Sequence, residues 1–354
     1  MSGRDRGGRS RTWEGDGGLA RRVALVGLVA MLAGGCAPGA GLPEAPAPVA
    51  ATATPGATFE PVPTLTVAPT GEPAAAVVTL PPIEPGPAPT QRFAVDRREI
   101  SVIRDGRPLR TVILHPAATY TGGRWEIPGT FPLVLFSHGL RGSPEIYEES
   151  LRTIAAAGFV VAAPEYPFTS ADAAEYNPVD LVNQPADASA VITAVLGLNS
   201  TGDDRLAGHL DPARVSAMGH SAGGYTTMGL LAGARDHRLR SAVVLAGASL
   251  GGSYAEPALP VLFVHGAADP VVPYDNGRAA YDQVPWPKAF LTVIDGGHSD
   301  FLYRNSPAAR AVTATVLDFL RATLYGDPEA LARIPIGAAI DTVTLFESTL
   351  GESR

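Results

Sequence analysis

Val215-Ser216-Ala217-Met218-Gly219-His220-Ser221-Ala222-Gly223-Gly224 is the stretch on which the fold turns. Val215 to Met218 is an apolar run of the kind a buried strand needs, and the residues from Ala222 to Ala234 read as a helix. Between them, Gly219-His220-Ser221-Ala222-Gly223 fits G-x-S-x-G, a sharp strand-to-helix turn that holds its serine in a strained backbone with the hydroxyl lifted above the sheet. Glycines on either side keep neighbouring backbone clear of the turn. The helix start brings unpaired N–H groups and the positive end of a dipole beneath any negative charge that develops there. Ser221 is therefore the candidate nucleophile.

Outward from this stretch the chain alternates. Glu99 to Arg104 and Arg110 to Leu114 are β-rich runs around Asp105-Gly106, a pair that favours a tight hairpin. Apolar runs follow at Leu133 to Ser137, Phe159 to Ala163, Ala242 to Ala246, Val261 to Val264 and Phe290 to Ile294. Near-continuous apolar runs suit strands covered on both faces. Between them lie helical stretches at Glu145 to Ala157, Pro185 to Leu196, Asn276 to Val284 and Pro307 to Leu324, the last with Gly326 just past its end. The predicted class is α/β: a mostly parallel central sheet, an antiparallel N-terminal hairpin and helices on both faces. Gly247 to Leu259 is too short to hold a cap domain.

A serine hydroxyl needs a base to take its proton and an acid to orient that base. Among seven histidines, His298 lies after the last predicted strand, in Asp295-Gly296-Gly297-His298-Ser299. Asp269 follows the strand Val261 to Val264 and is the favoured acid; Asp275, Asp295 and Asp300 are rivals, Asp275 being explained by capping of the next helix. The intermediate's oxygen needs two N–H donors. Ala222, next after the nucleophile, is one, and Leu140 in Ser137-His138-Gly139-Leu140 is the other. His138 reads as a buried ring that pins this loop. Tyr147, Tyr166, Phe168 and Tyr176 are candidates for a pocket wall or for rim packing.

Phe136-Ser137-His138-Gly139-Leu140, Gly158-Phe159-Val160-Val161-Ala162-Ala163-Pro164, Met218 to Gly224 and Gly297-His298 together resemble the α/β-hydrolase superfamily. More narrowly they are similar to the group containing bacterial polyester hydrolases, chlorophyllases and platelet-activating-factor acetylhydrolases. The resemblance spans about Phe131 to Tyr325. It implies a lidless serine esterase without a cofactor or metal, acting on small-molecule, lipid or polyester esters, with Ser221, Asp269 and His298 as its triad. Polyester hydrolases commonly carry a disulfide near the C-terminus, and with one cysteine none can form within this chain. A peptidase of the same fold and a non-catalytic surface binder are the alternatives. The first would release amines from peptides, and the second has no need of a complete triad in chain order.

That cysteine, Cys36, follows an arginine-containing start ending in Arg21-Arg22 and an apolar run from Val23 to Ala33. The run is too short to span a bilayer but fits a signal-peptide core. Leu32-Ala33-Gly34-Gly35-Cys36 resembles a bacterial lipobox, with the leucine one place early. This implies removal of residues 1–35, lipid on Cys36, and a membrane-anchored, extracytoplasmic domain. Residues 36–90, rich in Pro, Ala and Thr and nearly uncharged, read as a disordered tether. Residues 91–326 are then the catalytic domain, and 327–354 a tail with no motif, whose apolar Ile334, Ile336, Ile340, Val343 and Leu345 suit packing on the domain. A net charge of −8 gives no reason to expect a nucleic-acid partner. One domain without a repeat is expected to act as a monomer.

Overall fold

The computed structural model describes residues 64–67 and 82–351 apart from 234, 255 and 304. In chain order its elements are β1 (Thr64–Val67), β2 (Val95–Arg104), β3 (Arg107–Pro116), β4 (Thr119–Thr121), β5 (Arg124–Glu126), β6 (Phe131–Ser137), α1 (Glu148–Ala156), β7 (Val160–Pro164), α2 (Gln184–Gly197) and β8 (Leu210–His220). There follow α3 (Ala222–Leu231), β9 (Leu239–Leu245), β10 (Val261–Gly266), α4 (Tyr274–Gln283), β11 (Lys288–Val293), α5 (Asp300–Tyr303), α6 (Pro307–Leu320), α7 (Pro328–Ala338) and β12 (Thr344–Ser348).

Asp105 and Gly106 both take positive φ, 49° and 75°, which matches the right-handed twist of the strands they join. β2 and β3 accordingly pair antiparallel from Val95↔Pro116 to Arg104↔Arg107. The large sheet runs β1-β2-β3-β7-β6-β8-β9-β10-β11-β12. From β7 to β11 the strands pair parallel with one another, β3 pairs antiparallel with β7, and β12 closes the far edge antiparallel to β11. The order reverses at β6, between β7 and β8. Crevices in doubly wound sheets open at such switch points, beyond the carboxyl ends of the strands.

The continuous apolar runs follow from two covered faces. Leu133 and Leu135 of β6 and Val261 and Phe263 of β10 join one core with Val191 and Ile192 of α2 and Leu230 and Leu231 of α3. Their neighbours Val134, Phe136, Leu262 and Val264 join the other, with Ile154 of α1 and Val316, Phe319 and Leu320 of α6. Each fully buried side chain of this kind contributes about 1.5–3 kcal/mol. α2 is also tied to the hairpin by charge: Arg104 Nε and Arg107 Nη2 lie 2.7 Å from the fully buried Asp187 carboxylate, and Arg107 Nη2 lies 2.6 Å from Asp180.

One stretch differs from the sequence reading, and the C-terminal tail packs on the domain. Thr64–Val67, inside the expected tether, pairs parallel with β2, and Ala88 is buried with its N–H 3.2 Å from Asp327 Oδ2. Thr64-Leu65-Thr66-Val67 is a proline-free, β-branched run, which suits an edge strand better than a polyproline spacer. In the C-terminal stretch, the Asp327 side chain accepts from the N–H groups of Glu329 and Ala330 to cap α7, whose Ile334 and Ala338 enter the second core. The expected signal peptide and the expected lipidation site at Cys36 lie outside the described residues.

Candidate active site

Ser221 sits between β8 and α3 with φ 56° and ψ −120°, a region a residue with a Cβ rarely occupies. Its N–H is held 2.9 Å from the Leu245 carbonyl of β9. The flanking glycines are required by contact, since a Cβ on Gly219 would collide with the Gly223 carbonyl and one on Gly223 with the Ser137 carbonyl. The elbow is thus wedged between its own strand and β6, and the strain is held by surrounding structure.

The loop after β6 runs beside it; a Cβ on Gly139 would lie 3.1 Å from the Ser221 Cβ. His138 orients this loop. Its Nε2 accepts the Tyr166 N–H at 3.1 Å, so Nδ1 carries the proton and donates to the Gly139 carbonyl at 2.7 Å. Gly142 N–H reaches the same carbonyl at 3.0 Å, helped by Arg141 at φ 55°. A trans peptide sets its N–H opposite its C=O, so fixing the Gly139 oxygen fixes the direction of the Leu140 N–H. Both predicted oxyanion donors, Leu140 and Ala222, therefore lie on segments built around Ser221.

Asp269 and His298 are brought together. His298 Nδ1 lies 2.7 Å from Asp269 Oδ2, while Asp269 Oδ1 accepts the N–H groups of Val271 and Val272 at 2.8 and 2.9 Å. His265 Nε2 lies 2.9 Å from the Val272 carbonyl and 3.4 Å from Asp269 Oδ2, so most of its single N–H goes to the carbonyl. Burial pushes the Asp269 pKa up, but hydrogen bonds from His265, His298 and the Val271 N–H outweigh it and hold the carboxyl well below the usual carboxylate range. With Nδ1–H given to a carboxylate, His298 keeps Nε2 as its basic nitrogen. His298 also reaches the elbow, its backbone carbonyl 2.9 Å from His220 Nε2 and its ring 4.8 Å from the His220 ring. Of the rival acids, Asp300 Oδ2 lies 3.4 Å from the Gly297 N–H, and Asp275 is in the first turn of α4.

Around Ala222 a small apolar cluster joins Leu181, Tyr225, Ala248 and Val272, with Leu140 and Leu250 packed against it. This cluster, with Leu140 and Leu250 half-buried at its edge, is the apolar packing that adjoins the elbow at Ala222. Tyr166 is fully buried with its hydroxyl 2.8 Å from Ser137 Oγ, and Tyr147 points its hydroxyl at His220. Phe168 and Tyr176 carry guanidinium groups, Arg107 at 5.2 Å and Arg141 at 3.9 Å. Sequence reasoning passed over His220 and His265 as parts of the site, and it gave Tyr147 a place at the rim but not its hydrogen bonds to His220 and Gly139. Their polar atoms all point into the site from beneath.

Two buried histidines make the site acid-sensitive. Burial lowers the pKa of His138 to about 4 and that of His220 to about 3. Above the ordinary value near 6.5 both folded and unfolded chains are neutral there. As pH falls through it, only the unfolded chain takes up protons, so stability is lost between about pH 6.5 and 4. At pH 5 the loss is about 2 kcal/mol per histidine. Urea unfolding at pH 8, 6 and 5 should show it, and an unfolding free energy unchanged from pH 8 to 5 would contradict neutral burial.

The switch-point elbow, the loop after β6 and the paired acid and base after β10 and β11 make this an α/β-hydrolase fold. A family model described as Chlorophyllase, of that superfamily, matches residues 124–257, from β5 to the loop before β10. The match contains the loop at Leu140 and the elbow, and ends before Asp269 and His298. No curated protein matches the chain.

Proposed function

We propose that the chain is a serine hydrolase of carboxylic esters, held outside the cytoplasm by lipid on Cys36. The observation that carries the chemistry is an Asp269–His298 pair whose hydrogen bond leaves Nε2 basic, tied by the His298 carbonyl to His220, the residue before the strained Ser221. Ser221 Oγ attacks the ester carbonyl carbon and passes its proton to His298 Nε2. Asp269 steadies the imidazolium, and the N–H groups of Leu140 and Ala222 hold the oxyanion. Collapse of the intermediate breaks the bond to the alcohol, which takes the proton from His298. Water, deprotonated by the same nitrogen, then attacks the acyl-serine and releases the acid. The apolar cluster at the elbow, with Leu140 and Leu250 half-buried at its edge, supports an acyl or alcohol group without charge. The anchor rests on the Leu32 to Cys36 pattern alone.

The test is release of p-nitrophenol from acetate through palmitate esters by the full chain in mild detergent. Turnover is expected, and the chain-length profile measures which acyl lengths the site accepts. A folded chain that leaves every ester intact, yet releases amines from peptides, would overturn ester hydrolysis in favour of peptide cleavage.

A further inference from the structure

We propose that Tyr147 and His220 are positioning residues, which tie the oxyanion loop to the loop of the base through one directed chain of hydrogen bonds. The proposal rests on the serine-hydrolase reading above. The direction of each bond is forced from one end. The His298 backbone carbonyl can only accept, so His220 Nε2, at 2.9 Å, carries the proton. His220 Nδ1 is then an acceptor and takes the Tyr147 O–H at 2.9 Å. With its hydrogen committed, the Tyr147 oxygen accepts the Gly139 N–H at 3.3 Å. Gly139 is one peptide from the Leu140 donor, and His298 is the base itself.

The surroundings favour a held geometry over incidental contact. His220 and Tyr147 are 4% and 5% exposed, too little for water to replace a lost partner cheaply. Tyr147 packs on Phe136 of β6 with ring centroids 4.7 Å apart, and its ring lies 5.7 Å from that of His220. Burial keeps His220 neutral, its pKa lowered to about 3, so the Nδ1 lone pair is available at ordinary pH. An apolar pair would fill this space without two desolvated polar groups. What it would lose is the register between the loop that receives the oxyanion and the ring that moves the proton.

Tyr147→Phe keeps the ring and removes the oxygen; His220→Gln keeps a donor near the Nε2 position and removes the Nδ1 acceptor. In the full chain each is expected to lower kcat on p-nitrophenyl acetate about tenfold with KM within about twofold, and to lower the melting temperature by a few degrees because a buried partner is left unpaired. The double variant should fall no further than the worse single one, because the two changes break one link. A Tyr147→Phe enzyme with the parent's kcat, or losses that multiply in the double variant, would overturn the chain while leaving ester hydrolysis standing. If Tyr147→Phe does not fold, His220→Gln alone decides by the same kcat criterion. If the parent turns over no ester, the rate of Ser221 labelling by a fluorophosphonate replaces kcat. A tenfold slower rate in either variant then keeps the network without the ester reading, and no labelling of the parent overturns both.

Discussion

Ser221→Ala is expected to lower ester turnover about 10⁶-fold, to the level that binding and the oxyanion donors supply alone, and to abolish fluorophosphonate labelling. The fold should survive, for a specific reason. The strain at φ 56° comes from a Cβ in the left-handed region, and alanine carries the same Cβ as serine. The Ser221 N–H to the Leu245 carbonyl is backbone and is retained. A melting temperature within about 2 °C of the parent, beside lost turnover, assigns the loss to chemistry. Residual turnover above about one per cent of the parent would move the nucleophile elsewhere.

That serine was legible because the elbow is a local device: strand, glycine, serine, glycine and helix lie within about a dozen consecutive residues, and each residue type answers a steric demand of the turn. The parallel sheet was legible for a related reason. Residues such as Leu133 to Phe136 alternate between two covered faces, so the whole run must be apolar. Edges give weaker signals. β12 buries only Thr344 and leaves Leu345 exposed, so its sequence carries little of the pattern a central strand shows. α7 carries Pro335 in its interior, which reads as a break, although Asp327-Pro328-Glu329 in front of it is a good cap and first turn. The role of Tyr147 was hidden for a different reason. Its partners are Gly139 and His220, and a hydrogen bond to a residue 73 positions away leaves no mark on neighbouring sequence. The apolar cluster at the elbow has the same character, since Leu140, Leu181, Leu250 and Val272 come from four separate segments, Leu181 from a short 3-10 turn.

Asp269→Asn should lower kcat/KM about 10⁴-fold with little change in stability, and the structure says which way the amide will turn. Asp269 Oδ1 receives two backbone N–H groups, from Val271 and Val272. An amide nitrogen placed there would face two donors with no acceptor, so the asparagine oxygen must take that position. Its NH2 then occupies the place of Oδ2, 2.7 Å from His298 Nδ1, and donates to it. An imidazole that accepts at Nδ1 carries its proton on Nε2, and that nitrogen can no longer take the proton of Ser221. The His265 N–H to the Val272 carbonyl is untouched, so the loop stays in place. The enzyme is left with a correctly placed base in the wrong tautomer. Asp275→Asn, Asp295→Asn and Asp300→Asn lack this link to the ring and should each stay within about tenfold of the parent. If instead Asp300→Asn fell as far as Asp269→Asn, the 2.7 Å bond to His298 would not be the one that orients the base.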